Sequence, residues 1–167
     1  MKQDGTIPSF RSDMIKKVLY VFAISIVPVI ELRGAIPVGA SQEVPMWLCF
    51  IAAVIGNLLP VPFLILFGGK VLRYFAKFEK FGKPFRWILD LGERKVQKMK
   101  KSLFAGLLAF VAIPLPGTGA WTGSLIAITL GLDLKKSFLP IALGVVIAGV
   151  IMTLGSYGVV AIFNVFA

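Results

Sequence analysis

Residues 103–132 read LFAGLLAFVAIPLPGTGAWTGSLIAITLGL, and this stretch decides the fold. Its thirty residues exceed the roughly 20 apolar residues that one membrane-crossing helix needs. The run is nevertheless broken at PLPGTG, residues 114–119, because proline removes a backbone donor and clashes with the preceding turn. As helices, the halves 103–113 and 120–132 would cover only about 16 and 20 Å of a hydrocarbon core roughly 30 Å thick. Such a segment is either one long kinked crossing or a hairpin that leaves by the face it entered. Lys98, Lys100 and Lys101 precede it and Lys135 and Lys136 follow it. The tendency of basic residues to stay cytoplasmic places both flanks on one side and favours the hairpin.

Outward from this stretch lie three more apolar runs, at 18–40, 44–69 and 138–167. The chain is 57% hydrophobic and 16% charged, against about a quarter charged in a typical soluble domain. The expected class is therefore all-α, a polytopic membrane helical bundle. In the first run, a thirteen-residue stretch from position 18 to 30, apolar but for Ser25, gives way to Glu31 and Arg33, so this run also stops part-way. The net charge of +10 would suggest nucleic acid in a soluble protein, but eleven basic and three acidic residues sit together at 70–101. That is how the cytoplasmic face of a membrane protein reads, with membrane lipids and not nucleic acid as partner. From Trp87 onward the loop alternates apolar and basic residues, either as an amphipathic helix on an anionic surface or as a solvated connector. The polar stretch 1–14 does not resemble a signal peptide and reads as a retained tail.

The two halves overlay. Pro28 and Pro116 are 88 residues apart, as are Gly56 and Gly144, and each half has a broken apolar segment followed by an unbroken one. If both broken segments are re-entrant, the halves traverse the membrane in opposite senses. The chain is then one integral membrane domain built from an inverted repeat, a common transporter architecture. Repeat 1 covers about residues 14–75, the basic loop about 76–101 and repeat 2 about 102–167. Lys16 and Lys17 would then lie outside, against the charge rule, unless the first segment crosses fully or the tail lies on the surface.

Chemistry has few candidates. The chain has no histidine, and its one cysteine, Cys49, excludes an intrachain disulfide and the usual zinc spacings. No nucleophile–base pair or metal cluster is apparent, so neither an enzyme nor a cofactor is expected. Glu31 and Arg33, in VPVIELRGAIPVGA, would each cost about 2.5–3.5 kcal/mol at mid-membrane on insertion scales. Gly34, Pro28 and Pro37 suggest unwound backbone that lets both side chains enter one cavity. The alternative is a purely structural ion pair. In PLPGTGAWTGS, Pro116, Gly117, Thr118, Gly119, Trp121 and Thr122 form the start of a half-helix whose amides would attract an anion, with Thr118 and Thr122 as caps. Together with Arg33 they would make a midplane site for a carboxylate or phosphate. Alternatively, the glycines only permit close helix packing. Gly117, Gly119 and Gly123 are not a nucleotide loop, since no strand precedes them and no Lys-Ser/Thr follows. Asp133 reads as a helix cap, and Asn57, beside Pro60 and Pro62, as a group that satisfies backbone freed at a kink.

ELRGAIPVGA at 31–40, GERK at 92–95 and PLPGTGAWTGS at 114–124, in this order around a basic loop, resemble the small multidrug export protein family across nearly the whole chain. That family is distantly similar to DedA/VTT-type membrane proteins, which have inverted repeats with re-entrant hairpins; some of them are linked to proton-dependent movement of lipid carriers. By this resemblance Glu31 matches the acidic position of the first hairpin and Arg33 a basic one. The second hairpin departs from the pattern, with neither a carboxylate nor an arginine between 103 and 132. The resemblance implies a multi-pass cell-membrane protein, a secondary transporter or lipid-carrier flippase, proton-coupled, moving a small amphipathic, anionic or lipid-phosphate substrate. A non-transporting membrane scaffold or assembly module is the alternative. Short segments bury little surface alone, so a homodimer is expected.

Overall fold

The computed structural model describes residues 7–76, 100–115 and 117–166. The amphipathic reading of the basic loop, GERK and Pro116 lie outside the described residues. All secondary structure among the described residues is helical. The helices are α1 (Ile7–Ile26), α2 (Glu31–Ser41), α3 (Met46–Leu58), α4 (Pro60–Ala76), α5 (Lys100–Ala112), α6 (Ala120–Thr129) and α7 (Leu134–Phe166). Only a turn at Leu59 separates α3 from α4, so 46–71 is a nearly continuous apolar helix. It and Leu134–Phe163 are long and apolar enough to cross a membrane. Their outward faces carry Trp47, Phe63, Leu154 and Phe163, each more than 60% exposed. Water would penalise such a surface, whereas lipid would not.

Contacts divide the chain into two units. The first holds α1, α2, α3 to Asn57, and α7 from Gly149 onward. Here α1 and α2 form an antiparallel hairpin around the break at 27–30. Lys17 in α1 donates to the Gln42 carbonyl at the end of α2 at 2.8 Å, and Val21, one turn further on, meets Gly39. Small residues let the next layers close: a side chain on Gly56 of α3 would strike the Phe22 carbonyl and Ser25 of α1. Gly149 of α7 faces Phe50 and Val54, and the Tyr157 hydroxyl donates to the Val44 carbonyl at 2.5 Å.

The second unit holds α4, α5, α6 and the first part of α7. Gly123 of α6 meets Val111 and Leu107 of α5, while Leu103 at the start of α5 and Leu130 past the end of α6 line one groove. The two halves of the stretch 103–132, α5 and α6, thus pack against each other. Gly144 of α7 lies against Val111 and the Leu108 carbonyl, and Gly68 of α4 against Ile128.

The same backbone details recur 88 residues apart. Positive φ occurs at Val29, Glu31 and Glu43, and again at Gly117, Gly119 and Gly131. Both short arms end in the same turn: Glu43 and Val44 donate to the Ala40 and Gly39 carbonyls, as Gly131 and Leu132 do to Ile128 and Ala127. A left-handed residue after the last turn, closing these two bonds, is the Schellman arrangement. The buried faces also correspond, with Leu32, Ala35, Ile36, Gly39 and Ala40 on α2 and Ala120, Gly123, Ser124, Ala127 and Ile128 on α6.

Candidate functional site

At the first hairpin tip, Pro28 stands in a break of four residues, and Glu31 opens α2 with its N–H bonded to the Val27 carbonyl at 3.1 Å. Gly34 and Pro37 lie inside α2, so the unwound backbone precedes Glu31 and does not surround the pair as the sequence suggested. Helical spacing brings residues three or four apart together, not residues two apart. Arg33 Nη1 nonetheless donates to Glu31 Oε2 at 2.6 Å. A φ of +51° at Glu31 goes with this contact, setting its side chain off the regular helical course. Both side chains are withdrawn, at 11% exposure for Arg33 and 4% for Glu31. The carboxylate sits in the first turn of a helix, where the macrodipole favours negative charge.

The second tip holds Gly117, Thr118, Gly119, Trp121 and Thr122. Gly119 precedes α6 at φ 156°, ψ −166°, a conformation essentially reserved for glycine. As the N-cap of α6, Gly119 has no side chain with which to cap it. Thr118 donates backwards to the carbonyls of Ile113 (2.6 Å) and Leu115 (2.9 Å), closing the end of α5. Thr122 lies within α6, after its N-cap Gly119. A hydroxyl beside a broken helix end meets unpaired carbonyls behind it as well as amides ahead of it.

Chemically, the first tip can do more. A carboxylate paired with a withdrawn guanidinium can take up a proton, and protonation weakens its hold on the guanidinium. The second tip offers backbone and a threonine already engaged with carbonyls.

Three further polar residues stand out in the structure, of which the sequence singles out only Asn57. Ser25 and Asn57 are fully buried and Thr153 is 6% exposed; Ser25 Oγ, both polar atoms of the Asn57 amide and Thr153 Oγ1 make no hydrogen bond among the described residues. Asn57 therefore does not bond backbone at the α3–α4 break, the first of the two roles that its neighbouring prolines suggest, the other being contact with a substrate. Comparing each buried position with its counterpart 88 residues on would have flagged Asn57, opposite Val145, and Thr153, opposite Ile65.

A family model described as "Putative small multi-drug export protein" matches residues 31–151, from Glu31 at the start of α2 through the second tip into α7. No curated protein and no solved structure matches the chain.

Proposed function

From the premise that the chain belongs to the small multi-drug export family, and is a membrane protein, we propose that it is a proton-coupled secondary transporter or lipid-carrier flippase for small amphipathic or anionic molecules. The observation that carries the reading is the withdrawn Glu31–Arg33 pair at a break in an apolar hairpin. Ionisable groups are expensive at membrane depth and there mark ion or substrate pathways. In this mechanism Glu31 takes a proton from one side, Arg33 is released to hold a carboxylate or phosphate, and deprotonation restores the pair and expels the anion. No covalent chemistry is assigned to the protein.

The helix pattern supports an inverted repeat. α2 and α6 would be about 16 and 15 Å long, too short to cross a hydrocarbon core of roughly 30 Å, and each returns along its predecessor. We read both hairpins as re-entrant, α3–α4 and α7 as full crossings, and the central basic loop as cytoplasmic in a multi-pass cell-membrane protein.

The test is a pH jump across vesicles reconstituted with purified protein, reading accumulation of an amphipathic fluorophore. Wild-type protein should respond to the gradient and Glu31→Gln should not. An unchanged response in Glu31→Gln removes the coupling role and leaves the scaffold reading ahead.

A further inference from the structure

The two units provide an internal control for each other. Gly56 of α3 packs against the Phe22 carbonyl and the Ser25 Cβ of α1; Gly144 of α7 packs against the Leu108 carbonyl and the Val111 Cβ of α5. In both, a glycine lies against a carbonyl and the side chain three residues further on. The residue after each glycine is buried, Asn57 in one unit and Val145 in the other. So the position held by Ser25 and Asn57 in the first unit is held by Val111 and Val145 in the second, all at 1% exposure or less.

The packing alone therefore does not require polarity there; two valines fill the matching position. Elsewhere the chain satisfies buried hydroxyls from within their own helices. Ser124 donates to the Ala120 carbonyl at 2.6 Å and Ser137 to the Asp133 carbonyl at 3.0 Å. Ser25 could do the same in α1 and does not, and the neighbouring amide is left with a donor and an acceptor unpaired. A buried polar group without a partner is destabilising, and retaining two beside one packing contact needs an offsetting interaction.

We propose that Ser25 and Asn57 form a buried site in the first unit for a neutral ligand that both donates and accepts hydrogen bonds, namely water or a hydroxyl group of a bound molecule. A hydroxyl and a primary amide complement such a group without charge. A lone cation is a poorer match, since it leaves the Asn57 N–H donors unpaired. The site does not depend on the transport reading, because it requires only that the Asn57 amide have a non-protein partner.

The experiment uses full-length protein with 15N at asparagine, in nanodiscs of phosphatidylcholine or of phosphatidylglycerol, whose headgroup carries hydroxyls. The chain has two asparagines, Asn57 and Asn164, so the side-chain signal lost in Asn57→Val identifies Asn57. Magnetisation transfer to that NH2 from the water line in both lipids identifies water. Transfer confined to phosphatidylglycerol, from the non-exchanging C–H protons of its headgroup glycerol, identifies a lipid hydroxyl. In either case Ser25→Val should abolish most of the transfer. An Asn57 amide that receives none in either lipid overturns the proposal, as does a transfer that Ser25→Val leaves intact. The double variant Ser25→Val/Asn57→Val copies the second unit's residues and controls for folding.

Discussion

At the first hairpin tip Val29 and Glu31 hold φ of 75° and 51°; at the second, 88 residues on, Gly117 and Gly119 hold 83° and 156°. Glycine occupies positive φ at little steric cost, whereas a β-branched valine there is an outlier and such strain costs about 1–3 kcal/mol per residue. The strained tip is the one that carries the withdrawn ion pair, and the relaxed tip carries none. The same unit also contains Asn57 and Thr153, where the positions 88 residues away are Val145 and Ile65, and Ser25, whose place beside the glycine is taken in the other unit by Val111. The two units thus differ: the second pairs its buried hydroxyls within their own helices, and the first accepts strain and buried polar atoms without hydrogen bonds where function is proposed.

The largest expected effect tests the charge asymmetry. Arg33→Met leaves the Glu31 carboxylate withdrawn without its guanidinium and should cost about 3–5 kcal/mol, read from the unfolding midpoint in mild detergent. Lys136→Met removes the exposed pair with Asp133, whose side chains are 69% and 74% exposed, and should cost less than about 1 kcal/mol. Equal losses would mean that the first pair is no more buried in the membrane than the second.

Packing should behave symmetrically. A methyl on Gly56 would lie 2.5 Å from the Phe22 oxygen, and one on Gly144 would lie 2.7 Å from the Val111 Cβ. Gly56→Ala and Gly144→Ala should each destabilise by about 3 kcal/mol, the upper end for overpacking. A large loss in only one unit would break the correspondence between them.

Buried polarity should behave in the opposite way in the two units. Asn57→Val should leave the fold intact or raise the midpoint, while Val145→Asn should lower stability by about 2 kcal/mol through unpaired polar atoms. A marked loss for Asn57→Val would show that its amide has a structural partner.

The smallest effect concerns the matching turns. Glu43 and Gly131 occupy the same left-handed position, φ 59° and 65°. Glu43→Gly should stabilise by somewhat less than 1 kcal/mol, while Gly131→Ala should destabilise by about 1 kcal/mol. Thermal melts of the two variants should therefore move in opposite directions.

Much of this architecture is legible in the sequence because its determinants are local. Prolines and glycines break apolar runs wherever they fall, run length compares directly with bilayer thickness, and the spacing of Pro28 to Pro116 and Gly56 to Gly144 announces the recurring pattern. Glu31 and Arg33 also stand out unaided, as charges inside an apolar run.

The choice of partners is not local, and the tertiary structure alone decides it. Glu31 and Arg33, two residues apart, meet through a backbone angle that composition does not specify, and Thr118 bonds to the carbonyls behind it. Ser25 and Asn57 could each have found a backbone partner by the rules that serve Ser124 and Ser137. Whether they do depends on where α1 and α3 press together at Gly56, a contact between segments thirty residues apart that hydropathy and turn chemistry do not encode.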